Sequence, residues 1–168
     1  MRRLLLVVVL VVAVAWLGFR AVRAFDQDRH GREAAAVLAA ADTVTHPLPP
    51  VSPSPANGTS GRLSYRPGTW LSVVDLEGLD PVAGDERYLV FLRNWAGWTL
   101  AGATSPGPDG SAQVRSAAEP RPPTIYEVVV TRAVDDATSI PHGRPVLQWF
   151  DASVGPPRAR PFDFARGA

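Results

Sequence analysis

From Gly61 onward the chain comes in short bursts of β-branched, aromatic and other apolar residues, and each burst stops at a turn-forming sequence. That cadence limits the fold more than any other feature. Arg62–Tyr65 closes on Arg66-Pro67-Gly68, and Trp70–Leu76 stops short of Gly78. Arg87–Arg93 runs into Asn94-Trp95-Ala96-Gly97, a hairpin turn that leads directly into Trp98–Thr104. Pro106-Gly107-Pro108-Asp109-Gly110 is a second strong turn, and Ala112–Ser116, Ile125–Arg132 and Pro145–Phe150 follow. Alternation places Tyr88, Val90 and Leu92 on one face of their strand and Leu89 and Phe91 on the other; Tyr126, Val128 and Val130 are expected to share a face in the same way. No helical period is present after Thr43. About seven short strands with turn chemistry between them predict an all-β fold, an Ig-like or fibronectin-like β-sandwich.

The chain before Thr43 follows other rules. Arg2 and Arg3 precede sixteen unbroken apolar or glycine residues, Leu4–Phe19. A basic start followed by an apolar run is the layout read by the export machinery. At 1.5 Å per residue the run covers about 24 Å, and extension through Phe25 gives roughly 33 Å against a hydrocarbon core of about 30 Å. Arg20 and Arg23 can snorkel to the headgroups, and Trp16 suits the interface. Residues 1–25 are therefore expected to be a transmembrane signal anchor with the N-terminus inside. The cleaved alternative has Val22-Arg23-Ala24, a loose small-x-small site, but the arginines beside it oppose processing. Nothing else in the chain is apolar enough to surround the run on all sides, which argues against a buried core helix.

Residues 26–45, with the helix-forming stretch Arg32–Ala41, read as a helical stalk. Residues 46–60 hold five prolines and read as a linker or edge segment, barred from a sheet interior. Residues 61–152 are the expected sandwich and 153–168 a loose tail. The layout predicts a single-pass protein of the cell membrane with its C-terminal domain outside the cytoplasm.

Composition removes several function classes. The net charge of +1 supplies no field for nucleic acid, so no nucleic-acid partner is expected. Every basic residue is arginine, which we read as the mark of a GC-rich genome such as an actinobacterial one, without functional content. With no cysteine, disulfides, thiol chemistry and cysteine-based metal sites are excluded. His30, His46 and His142 have no second ligand at metal spacing, so no metal and no cofactor is expected. His142, between Pro141 and Gly143, reads as a turn residue. No Gly-x-Ser-x-Gly elbow and no phosphate loop is present. Asp75, Glu77, Asp80, Asp85 and Glu86 could serve a paired-carboxylate hydrolase but read more simply as a solvated strand end and loop. Asp109 and Asp135-Asp136 fit no calcium loop. No catalytic residue is assigned. Among five tryptophans, Trp70 and Trp149 are expected in the core. Trp95 and Trp98 flank a hairpin tip and are the candidate interaction residues, or alternatively fold over the sandwich end.

The run LSVVDLEGLDPVAGDERYLVFLR, then LAGATSPGPDGSAQV, then YEVVVTRAVDDATSIPHGRPVL resembles the extracytoplasmic C-terminal domain of anti-sigma-K factors. The matching pieces fall in order on Leu79–Gly84, Tyr88–Leu92, Ala101-Gly102, Asp109-Gly110, Val128–Arg132 and Pro141–Leu147; upstream, Ala36–Asp42 resembles the end of the helix after the family's membrane span. The resemblance covers residues from about 4 to 150. It implies structural roles for Tyr88, Phe91, Gly102, Asp109, Gly110, Pro141, Gly143 and Pro145. Phe91 stands where the family has Trp, Arg132 where it has Glu, and Asp135-Asp136 replaces a Gly-Gly. Only Met1, Arg2 and Arg3 precede the apolar run, and an interface needs roughly 800 Å² per partner, so direct binding of a sigma factor is not expected. The reading is an anchored, non-catalytic protein-interaction domain in envelope regulation or signalling. The alternatives are an accessory subunit of a membrane complex, and an exported carbohydrate binder or hydrolase.

Overall fold

The computed structural model describes residues 31–51, 58–117, 124–134 and 138–155. The expected anchor with Trp16, the first residues of the stalk, residues 52–57 of the proline-rich stretch, Asp135-Asp136 and the tail from 156 lie outside them. Among the described residues no helix is long and apolar enough to cross a membrane. The chain divides into two compact units, residues 1–36 and 37–168. Of the first, residues 31–36 are described and helical.

In the second unit the helix runs on to residue 39 and stops there, earlier than the stalk expected to reach 45. The Thr43 side chain donates to the Val37 carbonyl and its amide donates to Ala40 O at 3.1 Å, which satisfies carbonyls the helix leaves open. Asp42 then pairs with Arg66 at 2.8 Å.

Among the described residues eight strands follow: β1 Val44–Leu48, β2 Ser60–Tyr65, β3 Ser72–Glu77, β4 Arg87–Asn94, β5 Gly97–Thr104, β6 Ala112–Ser116, β7 Glu127–Ala133 and β8 Arg144–Phe150. They form two four-stranded antiparallel sheets, ordered β1-β2-β3-β6 and β5-β4-β7-β8. The chain changes sheet after β3, after β5 and after β6, so neighbours in each layer are often distant in sequence. The seven expected strands are present; β1 is the addition, built within the proline-rich stretch and the end of the presumed stalk. Pro47 is accommodated because β1 lies at a sheet edge, where a missing N–H breaks no ladder on the outer side.

The core forms between the layers. Leu63, Tyr65, Val74, Leu76 and Val114 from one sheet meet Tyr88, Val90, Leu92, Val128, Val130 and Leu147 from the other. The alternation along β4 holds: Tyr88, Val90 and Leu92 point into this cluster, while Leu89 and Phe91 form a second buried cluster with Ala133, Trp98 and Leu100 on the outer side of the sheet. Leu89, Phe91, Val129 and Thr131 are fully buried, so β4 and β7 are covered on both faces.

Two expectations fail at strand starts. Tyr126 does not continue the face of Val128 and Val130. The strand begins at Glu127, and Ile125 takes the core position instead. Trp70 is 49% exposed rather than in the core, because it precedes β3, which begins at Ser72. Trp149 does pack against the core.

One further crossing ties the layers together. After β1 leaves its sheet, residues 49–51 bond to β8 of the other: Gln148 N donates to Pro49 O at 3.0 Å and Val51 N to Val146 O at 2.9 Å. Just before this crossing, the His46 ring lies between Tyr65 and Trp149, with centroids 5.8 and 4.3 Å away.

Candidate functional site

The β4–β5 hairpin, with Trp95 and Ala96 at its tip, carries the only sequence-singled interaction residues. Gly97 there has φ +132°, a region that a side chain would strain. Asn94 Oδ1 accepts from Ala96 N at 2.9 Å and so fixes the turn. The Trp95 indole donates to Val154 O at 3.0 Å, yet Trp95 remains 73% exposed. The chain near Val154 is itself held, since Asp151 Oδ1 accepts from the Ser153 amide at 2.9 Å and hydroxyl at 2.6 Å, which keeps the Asp151 carboxyl below its usual range. The start of the segment expected to be loose is thus part of the hairpin's support.

The two tryptophans separate. Trp98 is half-buried against the outer cluster of Leu89 and Phe91, with the Arg93 guanidinium 5.2 Å from its ring centroid. Trp95 alone projects an exposed ring at the tip.

Beneath the hairpin lies a polar network that sequence reasoning did not find. Arg93 and Glu127 are direct cross-strand partners, with Arg93 Nη1 3.0 Å from Glu127 Oε2. Gln148 Nε2 donates to Glu127 Oε1 at 2.9 Å. The Glu127 side chain is fully buried and that of Arg93 is 29% exposed. Arg93 also lies 5.7 Å from the Tyr126 ring, and burial raises the pKa of that phenol. Tyr126 N donates to Arg93 O at 3.1 Å and Asp151 N to Tyr126 O at 2.7 Å, which joins the ends of β4, β7 and β8. A buried carboxylate is tolerated only when paired and hydrogen-bonded, so this network keeps the hairpin base in one arrangement. A charged residue beside a valine run, Glu127-Val128-Val129-Val130, was the available clue; its partner depended on a register across 34 residues.

The residues of the family-like motifs fall at joints. The Tyr88 hydroxyl donates to Asp80 O at 3.0 Å. Leu79 N donates to Gly110 O at 2.9 Å, and Gly110 has φ +75°. Asp109 Oδ1 accepts from Ser111 N at 3.1 Å and Oγ at 2.8 Å, which closes the turn. Gly143, at φ +81°, has no room for a Cβ, which would lie 2.5 Å from Arg132 O. Gly102 faces Val114 across the layers. Pro145 pairs with Thr131 where the β7–β8 register shifts, a place that suits a proline. Pro141 is buried, and Phe91 makes an edge contact at 5.8 Å with His142, whose Nδ1 lies 2.8 Å from Thr138 Oγ1.

The acidic residues do not converge. Glu77 pairs with Arg62 at 3.2 Å, Asp75 accepts from Gln113 at 2.7 Å, and Arg132 Nε donates to Glu86 at 2.9 Å. The Arg132 guanidinium holds the Glu86 carboxyl below its ordinary range. Among the described residues no three His, Asp or Glu side chains come together as metal ligands. An open cleft of about 740 Å³ lies between residues 78–84 and 105–110, but among the described residues of its wall Asp109, already bound to Ser111, is the only ionisable one.

The described chain is thus an all-β sandwich with an outer-face cluster and a braced, tryptophan-tipped hairpin. No protein-family model, curated protein or solved structure matches it.

Proposed function

We propose that this is a membrane-anchored, extracytoplasmic sandwich, Ig-like or fibronectin-like and similar in design to the outer domain of anti-sigma-K factors, that serves as a non-catalytic protein-interaction module in envelope regulation. The observation that carries the reading is Trp95. An indole 73% exposed, on a tip fixed by Asn94 and Val154, loses little conformational freedom when a partner covers it. The basic start and apolar run Leu4–Phe19 support the anchor and the location.

The test uses the full chain in its native membranes. Sandwich residues should be cleaved by protease added to intact spheroplasts, and recovery of intact protein from the cytosol would overturn the location. Trp95→Ala gives up the exposed ring and its bond to Val154 O together; the sandwich should stay folded, with an unchanged far-ultraviolet spectrum, while at least tenfold less of the partner protein co-purifies after crosslinking. Equal recovery with both proteins would remove Trp95 from the interaction.

A further inference from the structure

The sandwich has two ends, and among the described residues its exposed tryptophans collect at one of them. At that end β1 begins beside the close of β2, with Val44 paired to Tyr65, and the turn from Arg66 to Trp70 leads on towards β3. The other sheet shares this end. His46 of β1 lies against Trp149 of β8, and Phe150, Glu127 and Arg93 pair across β8, β7 and β4 just below the Trp95 tip. Trp70 and Trp95 are both exposed here, whereas the exposed apolar side chains beyond β7 at the opposite end are the aliphatic Val134 and Ile140. Leu38, 42% exposed, belongs with Trp70. The Asp42–Arg66 pair at 2.8 Å ties the segment after the helix to the turn that carries Trp70.

We propose that this end of the sandwich docks on the lipid bilayer, with Trp70 and Leu38 seated at the level of the headgroups. The proposal rests on the anchor reading of residues 1–25 and on no other part of the proposed function. Two features favour a bilayer as the occupant. The first is connectivity: the chain enters the sandwich at this end, and the apolar run Leu4–Phe19 lies upstream of that entry. Residues 26–43 can hold the end off the membrane by about 27 Å as a helix, so the anchor alone does not make the contact and the side chains decide it. The second is chemistry. Tryptophan sets an apolar ring against the acyl boundary and an N–H in the wet layer, and it is enriched at membrane interfaces for that reason. Arg66 is already answered by Asp42, so the contact is apolar and needs no anionic lipid. Trp95, on the other sheet, is left to its protein partner.

The absence of cysteine permits single-site labelling. Full-length protein is reconstituted into phosphatidylcholine vesicles that contain a lipid with a nitroxide headgroup. A fluorophore is placed at Pro67→Cys, exposed in the turn before Trp70, or at Asp85→Cys, exposed at the opposite end between β3 and β4. The Pro67 label should be quenched at least threefold more than the Asp85 label. A loose tether gives part of that difference, so the deciding arm is Leu38→Gln combined with Trp70→Gln. Quenching at Pro67 should then fall at least twofold while the far-ultraviolet spectrum of the sandwich is unchanged, and Trp70→Phe alone should retain it. Equal quenching at both ends of a chain that floats with the vesicles, or quenching at Pro67 indifferent to the double change, overturns the docking and leaves the anchor standing. A chain that does not float with the vesicles overturns the anchor and the docking with it.

Discussion

Thr131 shows how a single side chain carries a cost here. It is fully buried on the outer face of β7, and its hydroxyl has no hydrogen-bond partner. The residue across from it on β8 is Pro145, which has no N–H to offer. A buried hydroxyl without a partner costs about 1–3 kcal/mol, and valine has nearly the same shape. Thr131→Val should therefore stabilise the protein by about 1 kcal/mol, seen as a rise in unfolding temperature of roughly 4–8 °C. A fall would mean that the hydroxyl is satisfied. The opposite case is Glu127, equally buried but held by Arg93 and Gln148. The sequence made the alternation of Tyr88, Val90 and Leu92 legible because period-two burial needs no partner. It hid the Arg93–Glu127 pair because which strands adjoin, and in what register, is set by packing across the whole sandwich.

At the level of elements, β1 falls largely on the stretch read as a linker or edge segment and begins in the last residues of the expected stalk. The prolines at 47, 49 and 50 barred that stretch from a sheet interior, and an edge position tolerates Pro47 while Pro49 supplies only a carbonyl to β8. Trp70 and Tyr126 depart from expectation because each lies just outside its strand, where alternation no longer applies. β1 also carries a titratable ring. His46 lies against Tyr65 and Trp149, with Nε2 3.3 Å from the Tyr65 hydroxyl. Burial lowers its pKa below the ordinary 6.5, and the nearby Asp151 charge offsets this only in part. The folded chain thus takes up this proton less readily than the unfolded one. The contribution to stability is complete above pH 6.5 and declines as the pH falls through that value, until the folded imidazole is protonated as well. Unfolding midpoints measured from pH 8 to 5 should fall more steeply for the native protein than for His46→Phe, which retains an aromatic ring without the titration. Parallel curves would show that His46 does not act in this way.

For the whole molecule, the layered fold was legible and the joining of the layers was not. Short strands with turns announce a sandwich; nothing in a proline-rich stretch announces that one segment will bond first to β2 and then to β8. That segment has a mechanical consequence. Tension applied from the N-terminal side enters at Val44 and reaches both layers through residues 44–51 before it reaches the strands behind them. Stretching by optical tweezers should show two rips, a small one as these residues tear free and a larger one as the core yields; a single rip would mean that the segment bears no separate load. A segment held this way would act as a fuse, yielding first and leaving the remaining strands folded while the load is taken up.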